Sequence, residues 1–182
     1  MSNINLRCDC PQQPALAVAE LAPGLPAHHC QACAGSLLNL DAYREWQASA
    51  PAAPVADHSM PLALFETASA RACPSCARLM QRHRSGTDPD FRIDRCVACQ
   101  LVWFDAGEWE ALVRAGLRER LVELLADGWQ RQLQLDELRA GREGALRSRH
   151  GEACMNELAR IRAWLEMQPH REELLGLLSA GW

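Results

Sequence analysis

Eight of the nine cysteines in this chain fall into two sets of four: Cys8, Cys10, Cys30 and Cys33, then Cys73, Cys76, Cys96 and Cys99. In both sets 20 positions separate the second cysteine from the third. Thiolates are soft ligands, and two paired-cysteine turns brought together close a tetrahedral four-sulfur site. Cys73-Pro-Ser-Cys76, Cys96-Val-Ala-Cys99 and Cys30-Gln-Ala-Cys33 are regular Cys-x-x-Cys knuckles. Cys8-Asp-Cys10 is a tighter Cys-x-Cys pair, and His28 and His29 offer imidazoles that could replace one sulfur of the first set. We take all eight cysteines as ligands. The expected chemistry is two bound zinc ions, one per set.

Positioning these sulfurs requires short strands that return the chain from one knuckle to the next. Between Cys76 and Cys96, Arg78–Gln81 and Phe91–Asp94 fit two such strands, with Ser85–Pro89 as the turn. The equal spacing of the two sets points to a duplicated unit. An Ala/Pro-rich stretch, Ala48–Ala56, reads as a semi-rigid linker, and Pro61–Phe65 as a short edge strand. After Cys99 the pattern turns helical. Asp105 and Glu108 have capping-box spacing. Trp109, Leu112, Val113, Leu117, Leu121, Leu124 and Leu125 then recur at helical intervals, with Gly116 as a possible break. Residues 129–146 are less regular and contain Gly141 and Gly144. Cys154, Leu158, Ile161 and Leu165 form an apolar stripe, and Pro169 suits the first turn of a last helix. The expected fold is α+β: a zinc ribbon over 1–47, a linker over 48–70, a second ribbon over 71–115 and a helical region over 116–182.

Cys73-Pro-Ser-Cys76, followed by Cys96-Val-Ala-Cys99-Gln-Leu-Val-Trp103-Phe104-Asp105-Ala-Gly107-Glu108, resembles the TFIIB-type zinc-ribbon family. That family's second knuckle is typically followed by a glycine pair, a Trp, an Asp and a Gly-Glu-Leu helix start. Trp103, Asp105, Gly107 and Glu108 match. Gln100 and Leu101 replace the glycines, and Trp109 replaces the Leu. The first unit is a degenerate copy. Gly35 is retained, but Leu37 stands for the Trp, Asn39 for the Asp, and Asp41-Ala42 for Gly-Glu, while Leu40, Tyr43 and Trp46 still read as a helix face. The resemblance covers roughly residues 7–47 and 72–113. It implies zinc binding and leaves the activity open, because members are united by the metal module and fold analogy carries no function.

Composition narrows the classes. Apolar residues are 48% and charged residues 23%, as in globular chains. The N-terminus shows no apolar run of a signal peptide, and no stretch reaches the ~20 apolar residues of a membrane span. A cytoplasmic location is expected, and there cysteines hold metal rather than disulfides. The formal charge of −4 counts the cysteines as neutral. Each zinc-tetrathiolate centre is a dianion, which takes the chain to about −8. That disfavours sequence-independent nucleic-acid binding, which needs a basic surface.

Other residues were weighed for chemistry. Trp46, Trp103 and Trp109 read as core anchors beside the metal sites. Arg71, Arg78, Arg82, Arg84, Arg92 and Arg95, with His83, read as charge-assisted partners of the anionic centre rather than phosphate contacts. The basic segment Arg139 to His150 is interleaved with acids, as on a solvated face. Cys154 reads as a buried structural thiol, although His150 four residues upstream could activate it. Both metal sets look coordinatively closed, whereas a catalytic zinc keeps a position open. The chain is therefore expected to be non-enzymatic, with structural zinc and a helical tail that binds a protein partner or self-associates. A nucleic-acid-binding or transcription-associated ribbon, and a thiolate-based redox or zinc sensor, are the alternatives.

Overall fold

A computed structural model describes residues 6–49, 63–65 and 67–180. The chain divides into two compact units, residues 1–131 and 132–182. The fold is α+β.

The first unit is built on one six-stranded antiparallel sheet. Its strands are β1 Ala17–Ala22, β2 Leu25–His29, β3 Ser36–Asn39, β4 Gln81–Arg84, β5 Arg92–Cys96 and β6 Leu101–Phe104, in the spatial order β1-β2-β3-β6-β5-β4. The strands around the first cysteine set and those around the second are thus joined edge to edge through β3 and β6. The register sets Leu37 opposite Trp103 and Leu38 opposite Val102. Leu37 and Trp103 are each the fourth residue after the last cysteine of their own set.

Side chains alternate across the sheet, so neighbouring apolar residues serve opposite faces. Leu38, Val102 and Phe104 join Leu25, Ile93, Tyr43, Trp46, Trp109, Leu112, Leu121 and Leu124 in one core. Leu37, Leu101 and Trp103 join Met80 and the buried cysteines in the other. Burial on both faces explains why β6 reads Leu-Val-Trp-Phe without polar alternation.

Helices cover the first core. α1, Leu40–Gln47, is capped by Asn39, whose Oδ1 accepts from the N–H groups of Asp41 and Ala42 at 2.8 and 3.1 Å. It buries Leu40, Tyr43 and Trp46, the three residues its sequence pattern selects. α2, Glu108–Arg114, ends at Gly116, whose φ is 69°. There Leu117 N–H bonds Leu112 O at 2.9 Å and Gly116 N–H bonds Val113 O at 3.1 Å, a Schellman closure. α3, Leu121–Leu124, follows. Tyr43 Oη donates to Arg118 O at 2.9 Å and accepts from Leu121 N–H at 3.3 Å, tying the first ribbon's helix to the segment after α2.

Several sequence expectations shift in position. The strands expected at Arg78–Gln81 and Phe91–Asp94 form as β4 and β5, the first three residues further on. Ser85–Pro89 is the turn, organised by Asp90 Oδ1, which accepts from Gly86 N–H at 2.8 Å and Ser85 Oγ at 3.0 Å. Of the edge strand expected over Pro61–Phe65, residues 61 and 62 lie outside the described residues, as does most of the Ala48–Ala56 linker. Ala63–Phe65 form no strand, and Phe65 N–H bonds Ala106 O at 3.1 Å.

α4, Asp127–His150, begins in the first unit and runs as one helix through Gly141 and Gly144. In the second unit α5, Glu152–Glu166, and α6, Arg171–Ala180, follow. Leu165 is its one buried apolar residue among those described. Cys154 is exposed, not buried as its stripe suggested, because helical periodicity marks a face without supplying anything to cover it. No described helix is long and apolar enough to cross a membrane.

Candidate metal centres

Two of the three regular knuckles close by the same backbone device. After Cys30-Gln-Ala-Cys33, Ala34 takes φ 57° and its N–H bonds Cys30 O at 2.8 Å. After Cys73-Pro-Ser-Cys76, Ala77 takes φ 58° and its N–H bonds Cys73 O at 2.8 Å. Gln100 after Cys99 has φ 53°. The left-handed residue turns the chain back, so both sulfurs of a knuckle face the same point. The Cys-x-Cys pair differs. Cys10 N–H points at Cys8 Sγ at 3.4 Å, and the left-handed position moves to Gln13, φ 45°.

The eight sulfurs gather as the spacing anticipates. Within each set of four all Sγ atoms lie within 4.8 Å of one another. Cys8 and Cys33 are 3.7 Å apart, Cys10 and Cys30 3.9 Å, and Cys76 and Cys96 3.7 Å. A disulfide would bring two sulfurs to about 2.05 Å. A tetrahedron with ~2.3 Å metal–sulfur bonds has edges of about 3.8 Å. The two groups therefore fit metal ions and not disulfides. His28 and His29 belong to neither group, and His29 Nδ1 is 3.2 Å from Ser36 Oγ.

Backbone N–H groups bias one thiol of each set toward the thiolate. Burial pushes the Cys8 thiol up, and it pushes Cys73 up to about 12. At Cys30 burial works the same way, but the N–H groups of Cys33 and Ala32 outweigh it and bring the thiol down to about 7. The Arg78 N–H, aided by Cys99, brings Cys76 to about 7. A metal arriving at either group meets one ready ligand and displaces the proton that burial keeps on Cys8 or Cys73.

No family model, no curated protein and no solved structure matches the chain.

A buried ionic cluster connects the two groups. Arg71 donates from Nε and Nη2 to Asp105 Oδ1 at 3.0 and 2.7 Å, and from Nη1 to Asp9 Oδ1. Its guanidinium lies 4.6 Å from the Trp103 ring centroid. Trp103 Nε1 donates to Asp105 Oδ1 at 3.0 Å, and Thr67 donates twice to Asp105 Oδ2, both at 2.9 Å. Burial alone would raise Asp105, but these donors hold its carboxyl below the usual range. Asp9 Oδ2 accepts from Ala72 N–H at 3.1 Å. The middle residue of the irregular Cys-x-Cys pair thus grips the residues leading into the second set. Nearby, Asp94 faces Arg82 at 3.5 Å, yet burial pushes its carboxyl up to about 6.

This cluster corrects the role expected of Asp105. α2 starts at Glu108 with Gly107 as N-cap, and the Asp105 side chain makes no cap bond. Half of the capping box survives: Glu108 Oε2 accepts from Asp105 N–H at 2.8 Å. Asp9 and Thr67 were invisible as partners, because nothing local ties them to residues 34 or more positions away. The placement of an acid inside Cys8-Asp-Cys10 was the single available signal.

Proposed function

We propose that the chain is a non-enzymatic zinc protein in which two TFIIB-like ribbons, copies of one unit, hold a scaffold for protein interaction. The observation that carries this reading is the pair of four-sulfur groups at tetrahedral spacing. Four thiolates complete a zinc ion's coordination and leave no position for water, which suits a structural role and not a hydrolytic one. The repeat is supported by matching hydrogen bonds. Leu16 N–H bonds Leu6 O and Met80 N–H bonds Arg71 O, both at 2.8 Å, where Leu6 and Arg71 each stand two residues before the first cysteine of a set. The interaction role is supported by the second unit, which leaves Leu138 71% and Met167 76% exposed, with Leu158 and Trp164 half exposed. The nucleic-acid alternative gains little, since Arg71, Arg82 and Arg84 face Asp105, Asp94 and Asp90.

Metal analysis of the full chain, purified without oxygen, tests the reading. Two zinc per chain in colourless protein is the expected result. One zinc or none, or an iron-coloured protein, overturns it. One observation favours the sensor alternative: Cys76 lies at the surface. Its test is mild peroxide treatment, which on that reading releases one zinc reversibly and on the structural reading releases none.

A further inference from the structure

The two halves of the sheet's metal-bearing face are filled differently. In one half the Trp103 indole packs against Gly35, so closely that a Cβ on the glycine would sit 2.4 Å from the ring. Arg71 stacks on the indole, and Asp9, Asp94 and Asp105 surround the pair. In the other half a cavity of about 450 Å³ is left open among the described residues.

Six residues lining that cavity have counterparts in the filled half, on the repeat reading proposed above. Leu6 stands where Arg71 stands, two residues before the first cysteine of its set. Leu37 stands for Trp103, and the two face each other across β3 and β6. Leu101 stands for Gly35, each the second residue after its last cysteine. The three acids are replaced by non-acidic residues at the same positions: Ser75 for Asp9, Asn39 for Asp105, and His28 for Asp94. The last exchange is visible in the ladders, where His28 pairs with Leu37 as Asp94 pairs with Trp103. The cavity is therefore what remains when an indole, its cation and the surrounding carboxylates are all removed at once.

We infer that this cavity is a docking site for an uncharged aromatic side chain, an indole, presented by a partner protein. The filled half shows what this backbone accommodates: a planar ring lying against the sheet beside a cysteine knuckle. The empty half has lost the cation and all three anions together, so the matching occupant carries no charge. The size lies within the range of ligand sites, and apolar walls with a few polar groups are what such sites offer. The mouth is accessible, since Val18 of β1 is 85% exposed on its rim. Buried aromatic anchors of this kind dominate protein interfaces.

The test uses the zinc-loaded full chain and two probes, N-acetyl-tryptophanamide and a short uncharged peptide with a central tryptophan, followed by protein-observed NMR. The expected result is saturable shifts of the His28, Leu37 and Leu101 amides, with the peptide binding at least five-fold more tightly than the amide. Val18→Asp, on the exposed rim, should weaken the peptide five-fold or more. The double variant Leu37→Trp with Leu101→Gly rebuilds the filled half and should abolish binding while keeping two zinc. No saturable shift up to the probes' solubility, or shifts unchanged in both variants, overturns the inference. Amide and peptide binding equally well would make the site one for a free small molecule and overturn the partner assignment. Zinc content measured on the same samples separates the outcomes: missing metal sinks the zinc reading, whereas two zinc without binding sinks this inference alone.

Discussion

The two metal groups invert the ranking their sequences suggest. The second set has two regular knuckles, yet Cys76 lies at the surface and Cys99 is half-buried. The first set contains the irregular Cys-x-Cys pair, yet Cys8, Cys10 and Cys30 are all buried and Cys33, like Cys99, is half-buried. The difference teaches that motif regularity reports how well a knuckle is recognised, while protection comes from what packs around it. Asp9 converts the irregular knuckle into a contact with Arg71 and Ala72, so the first group gains a latch that a regular pair does not need.

The largest effect expected from this contrast follows metal removal. Structural zinc contributes on the order of 10 kcal/mol per site to folding. Titration with a chelator should empty the second group first and unfold the sheet when the first is emptied, as circular dichroism and limited proteolysis would show. Cys76→Ser should lose one zinc and keep a folded sheet, whereas Cys30→Ser should unfold it. Equal behaviour of the two variants would break the comparison.

The latch comes next. Arg71 and Asp105 are both buried and paired, so Arg71→Ala leaves a carboxylate without its cation. A loss of roughly 3–5 kcal/mol is expected from a buried pair broken on one side, read as a fall in melting temperature. Zinc should leave the first group sooner in this variant, because Asp9 loses its partner. A smaller change is expected at Gly35, where the Trp103 ring occupies the space of a Cβ. Gly35→Ala should cost about 1–3 kcal/mol by overpacking. Leu101→Ala, at the corresponding position in the open half, lowers stability without any clash to relieve.

The smallest effect concerns pH. His83 is buried with neither ring nitrogen hydrogen-bonded among the described residues, and burial, helped by Arg95, lowers its pKa. A depressed folded value means that the neutral ring is favoured in the folded chain. Its contribution is fully present above the unfolded value of about 6.5 and is lost as the pH falls toward the folded one. His83→Gln should flatten the stability profile below pH ~6.5. Ala19, which pairs with Ala27 as His83 pairs with Ile93, cannot titrate, so this contribution has no counterpart on the β1 side of the sheet.

Much of the site was legible because cysteine spacing is a local signal and a four-sulfur requirement is strict. α1 was legible because Leu40, Tyr43 and Trp46 repeat every three residues and are large. β1 and β2 were not, since small residues in Ala17–Ala22 give a weak alternation and Val18 faces solvent. Residues 129–146, with Gly141 and Gly144, read as less regular, but both glycines are open to solvent on a helix carrying ion pairs such as Glu143–Arg147, so α4 runs through them. The joining of two ribbons into one sheet was beyond local pattern, because β3 and β6 lie more than 60 residues apart and only Leu37 opposite Trp103 records the match.

That joint also sets an order of events as the chain is made. Until β6 has been synthesised, β3 is the last strand of a three-stranded sheet, with Leu37 and Leu38 along an unpaired edge. Such an edge recruits any strand that comes near, including the β3 of another unfinished chain. Translation that pauses between the two cysteine sets should therefore favour mispaired aggregates, and a second ribbon supplied promptly acts as the first one's own edge guard.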